Sequence, residues 1–274
     1  MASLLTDFLD VPLARVLRAK EAKMGKGEPA VPNVPGIETI HLLRAKDALA
    51  MRRQPKTMAI IGAGSAGCEL ATLFARAGTR VLLVETASSV LPREDAEISA
   101  IVGRALASLG VEIATGAEIL EAINATGAVY GLRVRCGGIT ETHALEAVVF
   151  ATDMDAPGPR VTLTSPEVAS VGLTAAEAKA KFGGVLVGRC DVSELARAAA
   201  ERVSVGLVKV VAHPKTRKIV GCAIVADRAG EIIHEAALAI ELGATVDRIA
   251  ESIHAGSTWS EGVAVACKSV SHRL

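Results

Sequence analysis

The stretch from Thr57 to Glu85 narrows the possible folds more than any other part of the chain. An apolar run, Thr57-Met58-Ala59-Ile60-Ile61, meets the glycine string Gly62-Ala63-Gly64-Ser65-Ala66-Gly67. Helix formers follow from Cys68 to Ala77, Gly78-Thr79 interrupts them, and a second apolar run, Arg80 to Val84, ends on Glu85. Strand, glycine turn, helix and strand within about 30 residues is the length of a βαβ unit. A right-handed crossover then makes the two strands parallel.

The glycine string has the form GxGxxG, a weak signal alone but a strong one between a strand and a helix, with an acidic residue about twenty positions on. Gly62 permits a tight turn, Gly64 lets backbone approach a pyrophosphate, and Gly67 lets helix and strand pack closely. Phosphates at such a turn meet backbone N–H groups and the positive end of the helix dipole. A carboxylate at Glu85 accepts hydrogen bonds from ribose hydroxyls and repels a 2′-phosphate, so NAD(H) is expected over NADP(H). The predicted cofactor contacts are therefore Gly62, Ala63, Gly64, Ser65, Ala66, Gly67 and Glu85. Two readings stay open on the motif alone: FAD also binds such turns, and a glycine-rich βα turn can bind nothing.

Along the rest of the chain, Ser3 to Met24 reads as an amphipathic helix, followed by a Pro- and Gly-rich linker to Gly36 and a helix from Glu38 to Met51. Beyond Glu85, Asp95 to Leu109 predicts a helix and Val111 to Ala114 a third parallel strand. From Ala117 to Ala151 three or four short strands predict an antiparallel meander, and Asp155-Ala156-Pro157-Gly158-Pro159 marks a boundary. After it come a helix from Thr174 to Lys181 and strands near 185–190, 206–211 and 218–225. The last two are joined by a hairpin turn at His213 to Arg217. Helices follow at Gly230 to Leu242, Thr245 to Ser252 and Ser260 to His272. The expected architecture is α/β: an N-terminal helix and linker (1–50), a Rossmann-like nucleotide-binding domain with an appended meander (51–155), and an α+β domain (160–274). At 274 residues the chain is long enough for two cores.

Composition removes several function classes. Thirty basic and thirty acidic residues balance, and aromatics are only 2%. Nothing therefore supplies the basic face or stacking platform of a nucleic-acid binder. Asp7 and Asp10 interrupt the apolar N-terminal stretch, no secretory leader is evident, and no run reaches a membrane span of about 18 residues, so a cytoplasmic protein is expected. Cysteines 68, 136, 190, 222 and 267 show no CxxC, no CxxxxC and no His at ligand spacing. They are expected to be buried thiols, with no metal site. His254, Ser257, Ser260 and Glu261 lack the nucleophile elbow a hydrolase needs. His234 and Glu235 read as helix-surface or interface residues, and Trp259 as a dimer-interface anchor.

Taken together, the motifs resemble those of the pyridine nucleotide-disulfide oxidoreductases, the flavoenzyme family that includes dihydrolipoamide dehydrogenase, glutathione reductase and mercuric reductase. The resemblance runs from about Val31 to His272. Val34-Pro35-Gly36-Ile37 resembles the family's lead into its NAD domain, and Gly62 to Glu69 its GxGxxGxE motif. That likeness implies that Glu69 lies near the nicotinamide. Ser165 to Thr174 resembles the opening of the dimerisation domain, and Gly221 to Glu235 and Ile253 to Glu261 later parts of it. A homodimer is implied.

The departures carry as much information. A complete member has a second glycine fingerprint for FAD and a closely spaced cysteine pair, and neither is present. Where the family has Ala-Thr-Gly this chain has Ala151-Thr152-Asp153, then passes almost at once into the dimerisation domain. The family's His-Pro-Thr, with a following Glu that orients the histidine, becomes Gly256-Ser257-Thr258 with Glu261. His254 falls two positions early. Glycine cannot transfer a proton, so no catalytic residue is expected here beyond Glu261 as a residual carboxylate. The expectation is an incomplete, NAD(H)-binding member without its own FAD, unable to reduce disulfides alone. Two alternatives are a module working with a separate flavin-carrying chain and an active dehydrogenase-like oxidoreductase with a non-flavin acceptor.

Overall fold

The structure, a computed structural model, describes residues 33–125, 129–151 and 158–271. The expected helix at Ser3 to Met24 and most of the boundary at 155–159 lie outside these residues. The chain divides into two units, one of residues 1–92 with 103–155 and the other of residues 93–102 with 156–274.

The first unit is built on a parallel sheet of order β1-β8-β2-β3-β4: β1 (Leu42–Arg44), β2 (Thr57–Ile61), β3 (Arg80–Val84), β4 (Glu112–Ala114) and β8 (Ala147–Phe150). Its neighbouring strands pair in parallel throughout. All four residues of β8 and the last four of β2 and of β3 are buried. Near-continuous apolar strands of this kind belong to a parallel sheet covered on both faces. Helix α1 (Ala45–Leu49) precedes β2, and α2 (Ser65–Arg76) links β2 to β3. Helix α3 (Ala96–Ser108) begins among residues that group with the second unit and ends in the first. A three-stranded antiparallel sheet is appended: β5 (Glu118–Asn124), β6 (Tyr130–Cys136) and β7 (Ile139–Leu145). Its residues Leu132, Val134 and Leu145 share one core with Ala59, Ile61, Leu82, Val84 and Val148 of the parallel sheet.

Two expectations are corrected here. The helix expected over Glu38 to Met51 is interrupted by β1, which pairs with β8; helix α1 covers only five residues. The final strand of the expected meander, β8, joins the parallel sheet between β1 and β2 instead. In both places an apolar tripeptide or tetrapeptide is captured by a sheet, and tertiary pairing decides its conformation.

The second unit carries an antiparallel sheet of order β11-β12-β13-β10-β9. Its strands are β9 (Arg160–Thr162), β10 (Glu167–Gly172), β11 (Leu186–Asp191), β12 (Leu207–Ala212) and β13 (Ile219–Ala226). The helices are α4 (Ala175–Phe182), α5 (Ala196–Glu201), α6 (Ala229–Glu241), α7 (Val246–Glu251) and α8 (Glu261–Ser271). Helix α4 is set by its ends. The Thr174 hydroxyl accepts the Glu177 N–H while the Glu177 carboxylate accepts the Thr174 N–H, and Gly183 closes the helix at φ +73°. Strands β9 and β10 and helix α5 were not expected as regular elements.

A buried cation organises one face of this unit. The Lys209 ammonium, almost fully buried, donates to Asp95 Oδ1 at 2.7 Å and to Glu97. Arg189 grips Glu97 with two hydrogen bonds of 2.7 and 2.8 Å. That arginine, with Lys209, holds the Glu97 carboxyl down at about 2. The resulting stabilisation is present at pH above the ordinary carboxylate range and fades as pH falls toward that value, reduced by screening because Glu97 is part-exposed. A run read only as the start of a helix therefore also serves as an electrostatic anchor.

Candidate nucleotide site and a vestigial acid–base loop

Gly62 ends β2 at φ +100°, a conformation that L side chains rarely adopt. A Cβ there would lie 2.2 Å from the Ala151 carbonyl oxygen, which leaves no room for a side chain. Its N–H donates to Val84 O at 2.8 Å and so ties the turn to β3. Gly64, in extended conformation, is the N-cap of α2. Gly67 lies in the first turn of α2, where a Cβ would come within 1.8 Å of the Gly62 carbonyl oxygen. The glycines at 62 and 67 thus let turn and helix close on each other, as the sequence requires of them.

Ala63 is fully buried, and its carbonyl accepts from Leu91 N and the Cys68 thiol. Its N–H donates to Glu85 Oε2 at 2.7 Å. The other Glu85 oxygen accepts from Ala87 N at 2.9 Å and from the Thr86 hydroxyl. Glu85, half-buried at the end of β3, therefore fastens the glycine turn from the position expected to meet ribose. Ser65 and Ala66 open α2, with the Ser65 hydroxyl 3.5 Å from Glu69 Oε1. Glu69 is only 4% exposed on the same helix. The structure thus brings Gly62, Ala63, Gly64, Ser65, Ala66, Gly67, Glu69 and Glu85 into one turn and its helix. The backbone geometry suits a dinucleotide: Gly62 to Gly67 would hold the pyrophosphate at the positive end of α2, and Glu85 the adenosine ribose.

Residues 24–154 match the family model described as pyridine nucleotide-disulphide oxidoreductase, and residues 158–267 match that family's dimerisation domain. The chain belongs to the pyridine nucleotide-disulphide oxidoreductase family. It is 26% identical to a mercuric reductase of Bacillus cereus, over 86% of this chain and 48% of that protein. It is 29% identical to a mitochondrial dihydrolipoyl dehydrogenase of Pisum sativum, over 90% of this chain and 61% of that protein. The chain thus spans roughly half to two thirds of the length of these curated relatives. Among solved structures, the HOCl-induced flavoprotein disulfide reductase RclA from Escherichia coli superposes with a TM-score of 0.75 at 19% identity. That match covers 88% of this chain and 71% of RclA and shows a common fold.

Between α7 and α8 lie the residues that the resemblance aligns with the family's acid–base motif. Gly256 stands where family members carry the histidine, in open space with nothing within 4 Å of a Cβ. Ser257, in place of the family proline, sits at φ +59°, which a pyrrolidine ring locked near −65° cannot adopt. Glu261, the first residue of α8, accepts the Thr258 N–H at 3.1 Å, so its carboxylate ties the preceding loop back to the start of the helix.

His254 has a partner that sequence spacing concealed. Its Nε2 lies 2.8 Å from Glu235 Oε1 on α6 and its Nδ1 lies 3.2 Å from Ser252 O, with the imidazole only 11% exposed. Glu235 is therefore a strut between α6 and this loop, where the sequence suggested a surface residue. Trp259 is corrected too. It is 5% exposed within the core of its own unit and so is unavailable as an interface anchor.

The cysteines behave as expected of structural thiols. Cys68, Cys190, Cys222 and Cys267 are buried, Cys136 is half-buried, and all five are free. Burial pushes Cys190 and Cys267 up to about 12 and raises Cys222 as well; nearby carboxylates add to all three, and the Cys267 thiol adds to Cys222. Thiols held that far from ionisation are not nucleophiles. Among the described residues no helix is long and apolar enough to cross a membrane.

Proposed function

We propose that this chain is an NAD(H)-binding, dimer-forming member of the family that does not reduce disulfides by itself. The observation that carries the reading is the closed turn from Gly62 to Gly67, fastened by Glu85 through the Ala63 N–H at 2.7 Å. A carboxylate already engaged there presents negative charge to the 2′ position, which favours NAD(H) over NADP(H). When bound, the nicotinamide supplies a hydride; the residues of this chain position it and nothing more. The family resemblance puts Glu69, buried in α2, near the nicotinamide.

The inability to reduce disulfides rests on chemistry missing from the sequence. No closely spaced cysteine pair exists to exchange with a disulfide, and Gly256 cannot hold a proton. A separate flavin-carrying subunit working with this chain's single glycine fingerprint is the second reading. It is favoured by the way the two family matches, ending at 154 and resuming at 158, leave no intervening segment to reach a flavin fold. Homodimerisation is favoured by the match to a dimerisation domain and by the exposed Leu238, Leu242 and Ile253 in that unit.

The test is a titration of purified protein with NADH and with NADPH, read by nicotinamide fluorescence, after its visible spectrum is recorded. Saturable NADH binding without a flavin band is expected. Binding of neither nucleotide would overturn the reading, and stoichiometric flavin would overturn the expectation that this chain lacks its own FAD.

A further inference from the structure

A set of metal-ligating side chains lies away from the glycine turn, where linear spacing does not reveal it. Glu141 and His143 are i and i+2 on β7, so both project to the same face of that strand. Directly across from them on β6 stand Val134 and Leu132, which are buried in the core of the first unit. Cross-strand partners share a face, so the two polar side chains stand at the rim of that core. Glu112 reaches the same place from β4, the edge strand of the parallel sheet. One oxygen from each carboxylate and one imidazole nitrogen all lie within 4.8 Å of one another.

The interactions inside the cluster leave it unbalanced. His143 Nε2 is 3.9 Å from Glu141 Oε2, too long for a hydrogen bond, although the imidazole is only 19% exposed. Among the described residues no lysine or arginine forms an ion pair with Glu112 or Glu141. Two carboxylates held together without a neutralising cation repel each other, and an ion between them converts that repulsion into attraction. One imidazole and two carboxylates form a mixed nitrogen–oxygen set. Hard Mg²⁺ and Ca²⁺ prefer all-oxygen surroundings, whereas Zn²⁺ and its first-row neighbours accept imidazole readily.

We propose that Glu112, Glu141 and His143 bind a divalent first-row transition-metal ion, with water completing its coordination. The ion clamps the edge of the parallel sheet to the β5–β7 sheet. Small movements of the three side chains bring their ligand atoms to coordination distance, since all are at strand positions with solvent on one side. Because the ligands come from two sheets, the clamp exists only in the folded unit, and binding stabilises the fold by mass action.

The experiment uses the whole chain, stripped with a chelator and then titrated with ZnCl₂ by calorimetry, alongside thermal melts with and without zinc. The expected result is one zinc per chain and a higher melting temperature with zinc, with no such rise in MgCl₂. In His143→Ala and in Glu112→Gln, zinc affinity falls about tenfold or more and the thermal shift shrinks, while the melts without zinc stay close to wild type. Cys136→Ser, which removes the one thiol that is not buried, retains wild-type zinc binding. Equal zinc binding by wild type and both ligand variants overturns the proposal, as does its loss in Cys136→Ser. Failure of wild type to bind zinc overturns it as well, and none of these three results bears on nucleotide binding at Gly62 to Gly67.

Discussion

The turn at Gly62 to Gly67 and the loop at Ser252 to Glu261 are the two places that the family resemblance marks as functional, and they are held in different ways. The first is held almost entirely by backbone: a turn hydrogen bond to Val84, a carbonyl packed against Gly67, and one carboxylate on a main-chain N–H. The second, on the resemblance, would rest on a single imidazole where this chain has Gly256, and the groups around it are engaged with one another. Glu261 holds the Thr258 N–H of the loop, and His254 braces α6. A site made of backbone cannot lose its function by one substitution without losing its fold. A site made of one side chain can, because the fold keeps the scaffold.

That contrast is broken most sharply at Gly67. In Gly67→Ala the new methyl group collides with the Gly62 carbonyl, and relaxing that contact forces α2 away from β2. The expected cost is about 3 kcal/mol of stability, accompanied by a fall in NADH affinity of about a hundredfold. A variant that bound NADH normally would show that the helix can slide without disturbing the phosphate cradle, and the two sites would then be alike in tolerance.

Glu85→Gln sharpens the comparison by removing charge while keeping shape. The amide can still accept from Ala63 N or Ala87 N but no longer repels a 2′-phosphate. NADH affinity should fall about tenfold and its advantage over NADPH should shrink by a similar factor, both read in parallel fluorescence titrations. An unchanged preference would move cofactor selection away from Glu85.

How much of this was legible in the sequence follows from the same division. The βαβ unit was readable because its signals are local: apolar runs of strand length, glycines at fixed offsets, and one acid at the end of β3. Strands β1 and β8 were misread because each is only three or four residues long and takes its conformation from its neighbour in the sheet. The anchoring of Glu97 by Lys209 and Arg189, and the meeting of Glu112 with His143, join residues far apart in the chain. No periodicity encodes such pairs. The His254–Glu235 bond escaped for the same reason, and Trp259 escaped because a lone aromatic has no pattern to say which core it fills.

On the C-terminal side of the comparison, His254→Ala should cost about 2 kcal/mol, since it leaves the Glu235 carboxylate half-buried without its partner. Urea unfolding would measure it, and NADH affinity should be untouched. Unchanged stability would mean that the histidine is idle, and the loop would then be a relic without a present role.

The smallest expected effect tests whether the loop has settled into its new shape. Ser257 holds φ +59°, a left-handed conformation that costs a residue with a Cβ about 1–2 kcal/mol and costs glycine almost nothing. Against that, glycine gives up more freedom on folding, by up to about 1 kcal/mol. Ser257→Gly should therefore stabilise the chain by about 0.5 kcal/mol, seen as a small rise in the urea midpoint at constant slope. A loss of stability of similar size would mean that the Ser257 side chain has acquired a compensating contact, one that fixes the loop in its present conformation as firmly as backbone packing fixes the glycine turn.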